Sequence, residues 1–220
     1  MTERRNITIF GAGYVGMSLA VLLAEKNIVK IFDIDQKKVE LINKGLSTIQ
    51  DPMIDNFLYT KNIKLKATNI PAEAIHHSDY YIIATPTDYN PDTQFFNTSS
   101  VEKCIKMIVD AGLNGTIIIK STIPIGFTDR MRKIFKFKKI IFSPEFLREG
   151  SALEDNLIPS RIIIGGECEF SKEFANLLAE AASKEDIPIL YMDSKSAEST
   201  KLFSNAYLAM RVAFFNELDS

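Results

Sequence analysis

The stretch that decides the fold is residues 7–16, Ile-Thr-Ile-Phe-Gly-Ala-Gly-Tyr-Val-Gly, near the start of a 220-residue chain. Its first four residues are apolar or β-branched and favour a strand, whereas residues 15 to about 26 have the spacing of an amphipathic helix. Gly11 permits the tight turn between them, Gly13 lets a pyrophosphate approach the backbone, and Gly16 lets helix and strand pack closely. This G-x-G-x-x-G predicts a dinucleotide-binding turn, and the alternative is a glycine-rich turn without a ligand.

Asp33 strengthens that interpretation, because it ends the next apolar run, residues 28–32, at the distance expected for a ribose-binding carboxylate. Its oxygens would accept hydrogen bonds from the adenosine ribose hydroxyls. Its negative charge would repel a 2′-phosphate. The pair of features therefore predicts NAD rather than NADP as the cofactor.

Strand-like and helix-like segments alternate along the rest of the chain. After a helix over residues 36–43 that ends near Gly45, most strand candidates are continuous apolar runs, as in a parallel sheet covered on both faces. We predict a Rossmann-like, doubly wound α/β sheet flanked by helices, with right-handed crossovers and a long final helix. The further strands are predicted at residues 63–67, 80–84, 116–120, 139–142, 161–164 and 187–191, and the further helices at 99–111, 128–135, 171–183 and from about 194 onward.

Composition excludes several classes of protein. The 26 basic and 28 acidic residues give a net charge of −2, which predicts no general attraction to nucleic acid or to an anionic membrane. Two cysteines are too few for a disulfide scaffold, and His76-His77 lack the neighbours of a metal site, so no metal is expected. Because no targeting or membrane segment is visible, we expect a cytoplasmic protein.

Two segments invite a functional interpretation. Residues 86–98 form a long polar loop after a predicted strand, and such insertions are often functional. The final helix is apolar on most sides, which predicts either a homodimer formed through it or a chain that continues beyond it. Its apolar residues are Leu202, Phe203, Tyr207, Leu208, Met210, Val212, Phe214, Phe215 and Leu218.

Six motifs in the correct order together resemble one family over the whole chain. They are residues 11–16 (Gly-Ala-Gly-Tyr-Val-Gly), 84–91 (Ala-Thr-Pro-Thr-Asp-Tyr-Asn-Pro), 96–102 (Phe-Asn-Thr-Ser-Ser-Val-Glu), 120–126 (Lys-Ser-Thr-Ile-Pro-Ile-Gly), 143–150 (Ser-Pro-Glu-Phe-Leu-Arg-Glu-Gly) and 201–205 (Lys-Leu-Phe-Ser-Asn). The chain resembles the UDP-glucose 6-dehydrogenases of the UDP-glucose/GDP-mannose dehydrogenase family, in their compact bacterial form.

The resemblance implies an NAD-dependent, four-electron oxidation of UDP-glucose to UDP-glucuronate that consumes two NAD⁺. The NAD contacts implied by position are Gly11, Gly13, Tyr14, Val15, Gly16, Asp33, Lys38, Thr85, Thr87, Thr122 and Glu149. The implied substrate contacts are Glu145, Phe146, Leu147, Arg148, Glu149, Lys201 and Asn205.

Four residues are the implied catalytic groups: Thr122, Glu145, Lys201 and Asn205. Oxidation of an alcohol needs a base for the hydroxyl proton and a cation or donors for the developing alkoxide. Lys201 would supply the charge and Asn205 a neutral donor, because four residues apart they share a helix face. Thr122 and Glu145 would position a water.

Simpler interpretations exist for the same residues. Lys201 and Asn205 would otherwise lie on a solvated helix face, and Lys38 would be an ordinary solvated helix residue. Thr122 before Pro124 is also typical of turn chemistry. Glu145 and Glu149 on either side of Arg148 are compatible with a surface ion-pair cluster.

One departure from the family pattern concerns the second oxidation, which in the family uses a cysteine within a Gly-Gly-Ser-Cys-like segment after the central helix. This chain has only Cys104, on a predicted helix, and Cys168, whose acidic neighbours disfavour the thiolate. Neither matches the nucleophile in position or in neighbours. The resemblance therefore implies that the catalytic cysteine is absent.

The expected organisation is a cofactor domain over residues 1–193, with a core at 1–145 and an extension at 146–193, followed by the start of a connecting helix at 194–220. We expect the C-terminal UDP-binding domain of the family to be absent. We expect NAD binding without completed oxidation, and weak or no binding of UDP-glucose. The alternatives are a sibling nucleotide-sugar dehydrogenase and a non-catalytic NAD-binding or dimerisation module.

Overall fold

The computed structural model describes residues 4–61, 63, 65–90 and 95–219. Part of the predicted strand 63–67 and residues 91–94 of the predicted polar loop lie outside the described residues. The strands are β1 Asn6–Phe10, β2 Ile28–Phe32, β3 Leu65–Thr68, β4 Tyr80–Ile83, β5 Tyr89–Asn90, β6 Phe95–Phe96, β7 Thr116–Ile119, β8 Ile140–Phe142, β9 Ile162–Gly165 and β10 Ile189–Met192. The helices are α1 Tyr14–Ala24, α2 Gln36–Asn43, α3 Pro52–Thr60, α4 Pro71–Ala74, α5 Ser99–Asp110, α6 Phe127–Phe135, α7 Ala152–Leu157, α8 Glu169–Ala181 and α9 Ser194–Leu218.

In the part of the chain that the structure describes, the main sheet has eight strands in the order β10-β9-β8-β7-β4-β1-β2-β3. The strands from β8 to β3 are parallel, with β1 between β2 and β4 at its centre. This confirms the predicted doubly wound sheet. The structure adds one reversal, because β9 joins β8 antiparallel through Phe142 and Gly165, and β10 then runs parallel to β9. The short strands β5 and β6 form a separate antiparallel pair.

Alternation along each strand divides the apolar side chains between the two faces of the sheet. Ile118 of β7 belongs to a core that includes residues of α1 and α8, whereas Ile117 and Ile119 belong to a second core with residues of α5 and α6. All three are fully buried. A strand covered on both faces needs apolar residues at every position, which explains the continuous isoleucine runs.

Local chemistry explains several helix ends. Asp35 caps α2 by accepting from the Lys37 N–H at 2.9 Å, and Gly45, with φ +74°, closes the helix as predicted, because the Leu46 N–H donates to the Leu41 carbonyl at 2.9 Å. The short helices α3, α4 and α7 are not predicted from the sequence. At α3 the pair Asp51-Pro52 is an ordinary start signal, with a capping carboxylate before a proline in the first turn.

The final helix, α9, has two unlike parts. Its first turns bury Ser194, Ala197, Glu198 and Lys201 against the sheet, with Asp193 accepting from the Ser196 N–H at 3.0 Å. Residues 205–219 are exposed along their whole length. In the ranges that the structure describes, no helix is long and apolar enough to cross a membrane.

Candidate functional site

The carboxyl ends of the parallel strands place the candidate residues along one edge of the sheet. β1 leads into the glycine turn, β2 into Asp33, β4 into Thr85, β7 into Lys120 and β8 into Glu145. Ligands of open α/β sheets bind at this edge. The predicted site residues therefore share one side of the molecule although they come from distant parts of the chain.

Two glycines of the turn are required by the backbone around them. Gly11 has φ +100°, and a Cβ there would lie 2.6 Å from the Ala84 carbonyl oxygen. A Cβ at Gly16 would lie 1.9 Å from the Gly11 carbonyl oxygen. Because the crowding atoms are backbone atoms, no side-chain rotation relieves either clash.

Gly13 differs from both, because a Cβ built there meets no atom of the described residues within 4 Å. It stands immediately before α1, where no described side chain caps the first N–H groups and the first turn carries no acidic residue. Tyr14 and Val15 begin this helix and are half-buried. The open approach and the uncapped helix N-terminus suit a pyrophosphate, so the described residues fit a dinucleotide here.

Asp33 is held against the turn. Its Oδ2 accepts from the Ala12 N–H at 2.7 Å and its Oδ1 accepts from the Asp35 N–H at 2.9 Å. Lys38 Nζ lies 4.0 Å from Oδ2 and is partly exposed. A carboxylate oxygen has more than one acceptor direction, so both oxygens retain capacity for a ribose hydroxyl. We call Gly11, Gly13, Gly16 and Asp33 the glycine end of the site.

The middle of the edge is a network of hydroxyl groups. Thr85 Oγ1 lies 3.0 Å from Ser100 Oγ, and Ser121 Oγ donates to the Thr85 carbonyl at 2.6 Å. Thr87 and Thr122 are half-buried. These contacts tie the loop after β4 to the loop after β7, and so set the position of the predicted cofactor threonines.

An ion pair between Glu145 and Lys201 stands at the other end of the edge. Lys201 Nζ donates to Glu145 Oε1 at 2.8 Å and to the Glu145 carbonyl at 2.7 Å, while the Leu147 N–H donates to Oε2 at 3.0 Å. The side chains are only 8% and 15% exposed. Lys201 therefore does not lie on a solvated helix face, and its partners 56 residues away hold it in one place.

Lys120 lies beside this pair and is 6% exposed. Its Nζ donates to Ser143 Oγ at 3.2 Å and to the Pro144 carbonyl at 3.4 Å. Burial lowers the pKa of Lys120 to about 8, with Glu145 raising it and Lys201 lowering it further. We call Lys120, Glu145 and Lys201 the lysine end of the site.

The residues that follow Glu145 separate into a half-buried pair and an exposed group. Phe146 stacks against Arg161, whose Cζ lies 4.5 Å from the ring centroid, and Leu147 joins it in lining a cavity of 70 Å³ beside Lys120. Arg148 is exposed and pairs with Asp155 at 2.7 Å. The surface ion-pair interpretation thus applies to Arg148 but not to Glu145. Glu149 and Asn205 are both exposed.

Glu198 connects α9 to the loop that carries Thr122. Its carboxyl group is fully buried and accepts from the N–H groups of Gly126 and Thr128, the latter at 2.8 Å. It therefore caps the N-terminus of α6 from another helix. Since Lys201 lies one turn further along α9, this helix holds both candidate catalytic segments.

Lys120 and Glu198 do not stand out in the sequence as site residues. Lys120 carries one signal, a lysine that directly follows three consecutive isoleucines at the end of a strand. Glu198 carries none, because Ala-Glu-Ser-Thr is an ordinary first turn. Its function as a cap depends on a partner 72 residues away.

Neither cysteine belongs to this edge of the sheet. Cys104 is buried in the core with α5, and burial raises the pKa of its thiol to about 12. Cys168 precedes α8, with its Sγ 2.9 Å from Ser171 Oγ. A nucleophilic cysteine needs a lowered thiol pKa, so Cys104 is unsuited to that role.

The chain matches known proteins along most of its length. A family model described as the UDP-glucose/GDP-mannose dehydrogenase family, NAD binding domain, matches residues 5–182. The chain is 48% identical over 216 residues to the UDP-glucose 6-dehydrogenase of Campylobacter jejuni, and 49% identical over 220 residues to that of Streptococcus pneumoniae. Each alignment covers 97% of this chain but only 55% or 56% of the relative.

A solved structure agrees with these matches. The UDP-glucose dehydrogenase of the archaeon Pyrobaculum islandicum superposes with a TM-score of 0.85 at 29% sequence identity, covering 99% of this chain and 52% of that one. The chain therefore spans about half the length of the relatives that it resembles.

Proposed function

Because the chain belongs to the UDP-glucose/GDP-mannose dehydrogenase family, whose matching domain binds NAD, we propose that it forms the cofactor half of a UDP-glucose 6-dehydrogenase. In this proposal residues 1–193 are the cofactor domain and α9 begins the connection to the sugar-nucleotide half. The observation that supports it most directly is the meeting of the glycine end and the lysine end along one edge of the sheet.

The glycine end would hold the cofactor. Gly13 and the first turn of α1 would receive the pyrophosphate, and Asp33 the adenosine ribose, with Lys38 beside it. Thr85, Thr87, Thr122 and Glu149 would contact the remainder. When bound, NAD supplies the acceptor for the hydride that leaves the alcohol carbon.

The lysine end would act on the sugar. Lys201 has three N–H bonds, and among the described contacts two of them serve Glu145, which leaves one for a substrate oxygen. An ammonium group already held in place stabilises a developing alkoxide without reorganising in the reaction. Glu145 and Thr122 would position the water that takes part in proton transfer, and Asn205 would add a neutral donor from the next turn of α9.

The second oxidation in the family passes through a cysteine, and the thiol of Cys104 is unsuited to it. We therefore propose that these 220 residues bind NAD without converting UDP-glucose to UDP-glucuronate. Backbone and side chains of residues 145–149 would contribute to UDP-glucose binding, weakly in the absence of the other half. We propose UDP-glucose as the substrate, and not another sugar nucleotide, because the relatives at 48% and 49% identity are named UDP-glucose 6-dehydrogenases.

A thermal-shift titration tests the cofactor proposal. At about 100 times its dissociation constant a ligand adds about 2.7 kcal/mol to the free energy of unfolding, or roughly 5–10 °C for a chain of this size. NAD should produce such a shift and NADP a much smaller one. No shift with millimolar NAD would refute the proposal.

A mixing experiment tests the proposed lack of turnover. The chain is incubated with UDP-glucose and NAD⁺, and NADH fluorescence is followed, with the Streptococcus pneumoniae relative as the positive control. We expect no more NADH than in a mixture without UDP-glucose. Accumulation at the rate of the control would show that the half-chain completes the oxidation. Saturation-transfer NMR with UDP-glucose and GDP-mannose then compares the two sugar nucleotides.

A homodimer through α9 is the proposed partner interaction. Eight apolar side chains between Phe203 and Leu218 are 53% to 69% exposed, which is costly for a helix in water. A second copy of the same helix would cover them, and the other half of a longer chain is the competing occupant. Sedimentation of the 220-residue chain should show a dimer that Leu208→Glu converts to monomer. A wild-type monomer at all concentrations would favour the competing occupant.

A further inference from the structure

Lys120 is a buried ammonium with unusual acceptors. Among the described residues its Nζ has two hydrogen-bond acceptors, Ser143 Oγ and the Pro144 carbonyl, which are uncharged and lie at 3.2 Å and 3.4 Å. Burying an ammonium without a carboxylate in direct contact is unfavourable, so such residues usually serve a purpose beyond packing. The family-derived roles above do not include it.

The contacts of Lys120 place it against the segment of chain that leads into Glu145. Ser143 and Pro144 are the two residues before Glu145, whose carbonyl and carboxylate both accept from Lys201. Lys120 approaches this three-residue segment from β7, and Lys201 approaches it from α9. Two lysines from different elements therefore hold the same short piece of backbone.

The protonation state of Lys120 changes the net charge of the cluster that it forms with Glu145 and Lys201. The titratable groups closest to it are Glu145, which attracts it, and Lys201, which repels it. Asp155 and Arg161 line the adjoining cavity, and Asp155 is already engaged by Arg148. With both lysines protonated the cluster has one positive charge in excess, and loss of the Lys120 proton removes it.

We propose that Lys120 is a positioning residue of the lysine end. Its ammonium group holds Ser143 and Pro144 in place, and this keeps Glu145 in its hydrogen-bonded ion pair with Lys201. The importance of Lys120 for catalysis rests on the proposed function, in which Glu145 and Lys201 contact the substrate. When Lys120 loses its proton, the anchor weakens and the Glu145–Lys201 pair relaxes. The contact between Glu145 and Lys201 should therefore change with pH near pH 8, where we expect Lys120 to titrate.

NMR of the 220-residue chain labelled with ¹³Cε-lysine and ¹³Cδ-glutamate tests this directly. The Lys120 Cε signal should titrate near pH 8. The Glu145 Cδ signal and the Leu147 amide, which donates to Glu145 Oε2, should move in a step at the same midpoint. This measurement needs no variant, so it remains informative even where a substitution destabilises the fold.

Two variants mimic the two charge states. Lys120→Arg stays protonated throughout, so its Glu145 and Leu147 signals should remain at the low-pH positions. Lys120→Met has no charge, so the same signals should start at the high-pH positions and the exchange protection of the Leu147 amide should fall about tenfold. Lys66→Met, which removes an exposed lysine on β3, is the matched control and should keep the step.

Glu145 and Leu147 signals that stay flat while Lys120 titrates would overturn the proposal. So would identical signals in the arginine and methionine variants, since a purely structural role does not distinguish their charges. The NAD thermal shift separates this outcome from a failure of the proposed function. If NAD gives its normal thermal shift but the NMR signals stay flat, only the proposed role of Lys120 is refuted. If NAD does not bind but the NMR signals move in the expected step, the proposed function is refuted and the role of Lys120 in holding Ser143 and Pro144 is retained.

Discussion

The glycine end and the lysine end of the site share one edge of the sheet but are built in different ways. At the glycine end, only glycine fits at position 16, because a backbone atom five residues earlier occupies the space of a side chain. Asp33 accepts a hydrogen bond from the Ala12 N–H, 21 residues before it in the chain. At the lysine end, Lys201 reaches Glu145 across 56 residues, and Lys120 reaches Ser143 from another strand. The first end depends on local steric limits, and the second on burial and charge.

This difference determines how each end responds to change. Steric crowding between backbone atoms has no relaxed alternative, so a single methyl group is decisive. Buried charges respond to protonation, so the lysine end is sensitive to pH, whereas the backbone crowding at Gly11 and Gly16 is not. The substitutions below are designed to break each end in its own way.

The largest effect is expected for Gly16→Ala. The added Cβ would lie 1.9 Å from the Gly11 carbonyl oxygen, and we expect a loss of at least about 4 kcal/mol in the free energy of unfolding, beyond the usual range for overpacking. Urea denaturation measures it. Gly13→Ala is the matched control, because Gly13 has φ −87° and open space around it. The free energy of unfolding of Gly13→Ala should stay within about 0.5 kcal/mol of that of the unchanged chain. Its thermal shift with NAD should be smaller. Equal losses in both variants would show that glycine flexibility, not crowding, governs the turn.

The next effect concerns pH and Lys120. Its pKa in the folded chain is about 8, below the ordinary 10.5, so the unfolded chain binds more protons between these values and stability rises with pH across that window. The rise should reach at most about 3 kcal/mol. Tyr80 and Cys104, whose pKa values burial raises to about 12, act in the opposite direction. Subtracting the curve of Lys120→Met isolates the lysine, and a flat difference would contradict the assignment.

Glu198→Ala should lower the free energy of unfolding by about 2 kcal/mol, because a buried N–H group, that of Thr128, and a half-buried one, that of Gly126, lose their acceptor at the start of α6. Denaturation monitored by circular dichroism measures the loss. The control is Glu217→Ala on the exposed part of the same helix, where we expect less than about 0.5 kcal/mol. If the two substitutions cost the same, α9 is not holding the loop of Thr122 in the way the contacts indicate.

The smallest effect on stability is expected for Asp33→Asn, about 1 kcal/mol, because the amide oxygen preserves one of two hydrogen bonds. Its larger consequence is for cofactor choice. Removing the negative charge should narrow the difference between NAD and NADP thermal shifts severalfold. NADP stabilising the wild-type chain as well as NAD does would contradict the role given to Asp33.

Much of this molecule is predictable from residue order. The βα turn, the parallel order of the central strands and the boundaries of α2 follow from apolar runs, glycine spacing and capping residues. The reversal at β9 does not, because the apolar run that forms it is the same in either direction. The short helix α7 is also unpredicted, since it begins where the Leu153 N–H meets Asp51, which is distant along the chain.

The candidate residues divide along the same line. The sequence by itself determined the strand, turn and helix around Gly11 and Gly16, and it determined that Asp33 follows the next strand, because φ, ψ and hydrophobic period are properties of neighbouring residues. Only the tertiary structure decided that Lys201 is buried on Glu145 while Asn205, one turn later, is exposed, and that Lys120 lies next to both. The physical reason is that desolvation and ion pairing depend on which distant elements meet, and no local pattern records that.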